Sequence, residues 1–144
     1  MTALETDPGY KPGDVVHIVL FRLRDDATDA DRAEVERRFR ALADSEREGR
    51  RYIRRIRSGP QTSPEGVGRG LELGFVVEFA SEGDRNYYLG RPFVGEGVPF
   101  DEPHDAFKAF VGPLLAEDGV LVFDFDADHD GGPAGAGWNE EERR

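Results

Sequence analysis

Cysteine is absent from this chain of 144 residues. That excludes disulfides, a thiol nucleophile and a thiolate metal site, and it fits a reducing, cytoplasmic setting. Cations are scarce as well: 19 Lys and Arg face 30 Asp and Glu, for a net charge of -11. Nucleic acid and anionic membrane would both be repelled, so neither is expected as a partner. The short basic runs Arg50-Arg51 and Arg54-Arg55 read as solvated charge. No apolar run reaches membrane-spanning length. The start of the chain lacks the basic-then-apolar pattern of a secretory signal. Apolar residues supply 38% of the chain and charged residues 34%, a polar balance that points to segments outside the core at the two ends.

What the chain does have is one stretch apolar on both alternating faces, Val15-Val16-His17-Ile18-Val19-Leu20-Phe21-Arg22-Leu23. A strand with one wet face alternates apolar with polar. This one does not, so both of its faces are expected to be covered. His17 lies inside it.

Residues 1–13, with Pro8, Gly9, Pro12 and Gly13, read as a flexible leader. Residues 14–126 read as one domain, and residues 127–144, rich in Asp, Gly and Glu, as a disordered tail. Thr28 is a good N-cap for a helix over residues 30–43, whose Val35, Phe39 and Leu42 form one apolar stripe. Residues 44–49 form a polar exit stopped at Gly49. A short second strand starts near Arg54. Leu71, Leu73, Phe75, Val77 and Phe79 share a face of the third strand, residues 71–80. Ser81 caps a short helix with Tyr87, Tyr88 and Leu89, ended by Gly90. Residues 91–103 hold too much Pro and Gly for a regular element, yet carry Phe93, Val94, Val98 and Phe100. So apolar a loop is expected to fold back as a lid. A further helix begins near Pro103 or His104, and a last strand covers residues 120–125, apolar except for Asp124.

This order predicts an α+β fold: a ferredoxin-like β-α-β-β-α-β sandwich with helices on one face of an antiparallel four-stranded sheet. The other apolar face needs a partner, and a second copy under a two-fold axis supplies it. A homodimer with a barrel-like core is therefore expected.

The chain resembles the stress-responsive A/B barrel (Dabb) family of dimeric α+β barrels. The match is carried by Val16-His17-Ile18-Val19-Leu20-Phe21, by Ser63-Pro64-Glu65-Gly66, by Val76-Val77-Glu78-Phe79 with Ser81-Glu82 and the Tyr helix, and by Pro103-His104 leading to Phe107-Lys108 and Pro113-Leu114-Leu115. Members range from stress proteins with no assigned reaction to a fern hydroxynitrile lyase and a plant polyketide cyclase of the olivetolic acid type. The resemblance implies that His104 and Tyr88 form a catalytic pair and that His17 lines the same cavity. Residues 93–101 lengthen the connection between Tyr88 and His104.

Such a set suits proton transfer next to a carbonyl. Histidine titrates near neutrality unaided and a tyrosine hydroxyl can donate to an enolate. No cofactor is expected. Tyr87, Phe93, Phe100 and Phe107 are the expected substrate contacts, for a small apolar or polyketide-like ligand. The bland alternatives remain beside this: His17 as a satisfied core histidine, Tyr88 as a packing aromatic and His104 as a helix start. The chain would then be a non-catalytic stress-responsive or ligand-binding homodimer. A metal site is not expected: His129 with Asp126, Asp128 and Asp130 lies in the tail, with nothing around it to hold the ligands.

Overall fold

The computed structural model describes residues 1–127 and 131. The tail expected over residues 127–144, with His129 and Trp138, therefore falls almost wholly outside the described residues.

Among the described residues six strands and three α-helices follow in order: β1 Pro12–Leu23, α1 Asp29–Ala41, β2 Glu46–Arg47, β3 Arg50–Arg51, β4 Ile53–Pro60, β5 Leu73–Ser81, α2 Glu82–Leu89, α3 Glu102–Val111 and β6 Leu115–Asp126. The four long strands form one antiparallel sheet in the order β4-β5-β1-β6. With the helices on one face, this is the ferredoxin-like α+β fold.

Local chemistry explains the helix ends. Thr28 and Asp31 form a reciprocal capping box at the start of α1, each side chain accepting from the other's backbone N–H. Val35, Phe39 and Leu42 are buried as their spacing requires. The Ser81 hydroxyl accepts from the Asp84 N–H and starts α2, and Gly90 ends it. Asp101 caps α3 through the His104 N–H, with Pro103 in the first turn.

Alternation along β1 sorts its side chains. Val15, His17, Val19, Phe21 and Leu23 are buried beneath the helices, while Val16, Ile18 and Leu20 are half-buried on the outer face. The core is aromatic: Phe39 stacks on Phe75 at 3.9 Å between ring centroids, with Phe21 and Phe107 against them. On β6, Leu121, Phe123 and Phe125 pair with Leu20, Ile18 and Val16 and lie on the same outer face, all three exposed. Within one chain the outer face is thus uncovered, and it is the face for which a second copy is the expected cover.

Three segments differ from the sequence expectation. The polar exit after α1 forms the small β2–β3 hairpin, with Arg47 paired to Arg50 across Glu48-Gly49 at positive φ. Strand β6 begins at Leu115 rather than residue 120. A register shift lies between its pairs Phe21–Val120 and Leu23–Leu115, and at Gly119 a Cβ would sit 2.4 Å from the Arg22 carbonyl oxygen, so only glycine fits. The segment expected as a loose leader is held in place. Met1 contacts Phe93 and Gly95 through backbone hydrogen bonds, the Asn86 amide donates to the Glu5 carbonyl, and Gly83 N–H donates to Tyr10.

Candidate functional site

A cavity of about 540 Å³ lies between the inner sheet face, α2 and α3. Its wall is almost entirely apolar, from Phe21 and Phe39 through Phe107, Val111 and Val120. The volume lies within the range of small-molecule sites. His17, Tyr88 and His104 all line it, with Asp124 and Lys108.

His17 reaches the cavity because it occupies an inner position of β1. Asp124 stands directly across from it on β6, and His17 Nδ1 lies 2.6 Å from Asp124 Oδ1. The other carboxylate oxygen accepts from Arg85 of α2 at 2.9 Å. Arg85 is itself held by the Asn86 side chain at 2.9 Å. Burial alone would raise the Asp124 carboxyl. The hydrogen bond from His17 and the Arg85 guanidinium outweigh it and hold Asp124 below its ordinary value. With an ionised carboxylate at Nδ1, that nitrogen carries the proton, and in the neutral ring Nε2 holds the lone pair.

Tyr88 and His104 meet face to face, ring centroids 3.7 Å apart and planes 11° from parallel. His104 Nδ1 donates to the Tyr88 carbonyl oxygen, again leaving Nε2 with a lone pair. Burial lowers His104 to about 4, against the opposing pull of that hydrogen bond, so the ring is neutral at pH 7. The Tyr88 ring also packs edge-on to His17 at 5.6 Å. Its hydroxyl is fully buried and has no hydrogen-bond partner among the described residues. Burial raises it well above its usual value, so it stays protonated as a donor. The Tyr88 ring lines the cavity, while its hydroxyl is closed off from the open space and feels the Asp101 carboxylate.

The expected substrate contacts divide. Phe107 and Phe93 line the cavity, and Phe93, 56% exposed, marks its mouth. Tyr87 does not line it. One step along α2 from Tyr88, it points the other way, packs on Tyr52 and lies under the Arg47 guanidinium at 4.3 Å. Phe100 does not line it either: it packs on Gly90 beneath Arg91. The long 91–101 loop thus brings one aromatic to the mouth. Its remainder rests on the N-terminal segment through Gly95.

Asp124 and Arg85 were absent from the sequence reading of the site. The lone acidic residue in an apolar strand was the available signal, but its pairing with His17 depends on the β1–β6 register. Lys108, one turn beyond His104, likewise lines the wall. Its ammonium donates to the carbonyl oxygens of Leu89 and Arg91 at 2.7 and 2.6 Å. Among the described residues no group of side chains is arranged to hold a metal ion, and no helix is long and apolar enough to cross a membrane.

Among solved structures, the chain is similar to the Arabidopsis thaliana protein At3g17210, at 19% identity and a TM-score of 0.63 over 81% of this chain and 98% of that one. It is similar to a hydroxynitrile lyase from Passiflora edulis, at 15% identity and a TM-score of 0.61 over 84% and 99%. A dimeric ferredoxin-like protein of unknown function from Thermobifida fusca matches at 19% identity, with a TM-score of 0.59 over 81% and 93%. Likeness at these identities establishes the fold alone. No curated protein matches by sequence. The family profile described as Stress responsive A/B Barrel Domain matches residues 15–127, most of the chain, and the protein belongs to that family.

Proposed function

We propose that the protein is a cofactor-free acid–base enzyme of the cytoplasm, a lyase or aldol-type cyclase, acting on a small, partly apolar carbonyl compound in the 540 Å³ cavity. The observation that carries this reading is the meeting of three groups on one apolar wall: the His17–Asp124 pair, the neutral His104 and the Tyr88 ring stacked on it.

The resemblance alone makes His104 the base. Its burial argues for a different division of labour. A base works best with a pKa near the working pH, and His104 is lowered to about 4. His17 has a carboxylate at Nδ1 that orients the ring and stabilises the imidazolium formed on taking a proton. We assign proton removal to His17 Nε2. The Tyr88 hydroxyl, closed off from the open space in the free protein, donates on substrate binding to the oxygen that becomes an enolate or alkoxide, in surroundings dry enough to make that bond strong. His104 Nε2 accepts a hydrogen bond from the substrate and positions it, and Phe107 and Phe93 supply apolar contact.

The reading includes a homodimer joined through the outer sheet face. It is supported by the exposed Leu121, Phe123 and Phe125 and by relatives described as dimeric. The sheets would then meet back to back, leaving each cavity on its own helix side.

The test uses two substrate classes, an aromatic cyanohydrin followed by cyanide release and a linear poly-β-ketone followed by ring closure. Wild type is expected to turn over one of them, and His17→Gln to lose at least about a hundredfold of that rate. Turnover unchanged in His17→Gln would overturn the assignment of the base. No turnover of either class, with ligands still bound, would favour the non-catalytic ligand-binding homodimer.

A further inference from the structure

The cavity wall carries one ammonium, that of Lys108, that makes no direct ion pair among the described residues; Asp105 and Asp101 act on it from beyond contact distance, and burial outweighs them. Asp124 is matched by His17 and Arg85. At the mouth, Arg91 is paired with Asp105 at 2.5 Å. Lys108 has no carboxylate within ion-pair distance among the described residues. Its ammonium donates to two backbone carbonyls, Leu89 and Arg91, which leaves one N–H without a partner there. The two carbonyls hold the ammonium where α2 ends and the Phe93 loop begins, so it is fixed beside the mouth and not swinging in solvent.

A half-buried ammonium beside an apolar wall is costly unless an anion meets it. The chain as a whole carries a charge of -11 and would repel anions, so an ammonium without a contacting carboxylate on this wall is a local exception to the global field. Water is the alternative partner for the free N–H. It would satisfy the hydrogen bond but leave the ammonium without a contacting anion.

We infer that the cavity takes an amphiphilic monocarboxylate, its apolar body against Phe107, Val111 and Val120 and its carboxylate on the Lys108 ammonium at the mouth. This deepens the reading of the cavity as a small-molecule site and rests on it, but it does not depend on catalysis. The carboxylate takes the third ammonium N–H and is its contacting anion. The chain of the ligand runs inward past Phe93 towards Tyr88 and His17. A substrate of this class carries its reacting carbonyl at a distance from its acid group, so one end is anchored while the other meets the acid–base groups.

Lys108→Met keeps the stem that covers the wall and removes the charge. The experiment is calorimetric titration of the full chain at pH 7.5 with decanoate and with decanol, for wild type, Lys108→Met and Lys108→Arg. The expected result is that wild type binds decanoate about tenfold more tightly than decanol, the scale of one charge-assisted hydrogen bond. Lys108→Met should bind both alike with decanol affinity unchanged, and Lys108→Arg should keep part of the preference. Equal binding of acid and alcohol by wild type would overturn the inference and leave the cavity reading standing. Binding of neither probe would overturn the inference and the cavity reading together. A preference for decanoate that survives in Lys108→Met would place the anion elsewhere and overturn it too.

Discussion

His17 Nδ1 and Asp124 Oδ1 lie 2.6 Å apart, the two residues facing each other across the β1–β6 pair. Arg85 holds the far side of the carboxylate, so Asp124 cannot rotate away without breaking two charge-assisted hydrogen bonds. The pair turns a buried histidine from a packing residue into an oriented one.

The Tyr88 hydroxyl is fully buried, with no hydrogen-bond partner among the described residues. Removing it takes away a desolvated group that gains nothing in the free protein. Tyr88→Phe should therefore match or exceed wild type in stability, by up to about 1 kcal/mol. Urea denaturation checks this. A loss of more than 1 kcal/mol would mean that the hydroxyl has a structural partner.

Burial of His104 gives a pH signature. Burial lowers its pKa on folding from the ordinary 6.5 to about 4. Between those values the unfolded chain binds a proton that the folded chain does not, so stability falls as pH drops from 6.5 towards 4. At pH 5 the loss relative to pH 7.5 is about 2 kcal/mol from this residue. His104→Gln should lose correspondingly less over the same interval. Denaturant midpoints of both proteins at the two pH values decide it. Parallel pH curves would contradict the neutral, buried state of His104.

The outer sheet face makes a mass prediction. Sedimentation equilibrium at micromolar concentration should give about twice 16.0 kDa. Phe123, 60% exposed in the single chain, sits in the middle of the apolar strip on β6. Phe123→Asp should shift the mass to that of one chain, with far-ultraviolet circular dichroism retained. A wild-type monomer would remove the back-to-back arrangement.

Much of this fold is written locally. The Thr28 box, the Ser81 cap, the Gly90 stop and the inner set of β1 all follow from neighbours within a few residues, and each is found where its pattern puts it. What depends on distant partners was not legible. Asp124 looks like a flaw in an apolar strand until β6 is paired with β1 in register. Tyr87 and Phe100 look as apt for a pocket as Phe93 and Phe107, because sequence does not say which way a side chain leaves its helix or loop. The N-terminal segment shows no periodic pattern, and what holds it is backbone hydrogen bonding to residues more than seventy positions away.

That docking gives a test with an unusual sign. Alanine normally improves on glycine in a helix. At Gly83, in the first turn of α2, a Cβ would lie 1.7 Å from the Asp7 carbonyl oxygen and 3.1 Å from the Tyr10 Cβ. Gly83→Ala should therefore displace the segment before Pro12 and expose it to limited proteolysis, with little loss of the core. Unchanged protease resistance would show that the segment contributes no such packing.

The central claim is that the His17–Asp124 pair drives proton transfer in the cavity, and Asp124→Asn tests it most directly. Asparagine keeps the shape and a hydrogen bond to His17 but not the charge, and it can hold the ring in the wrong tautomer. The measurement is kcat/KM of wild type and Asp124→Asn on whichever carbonyl substrate class wild type converts. The account predicts a fall of at least about a hundredfold, with the folded structure intact by circular dichroism. Equal kcat/KM in the two proteins would contradict it.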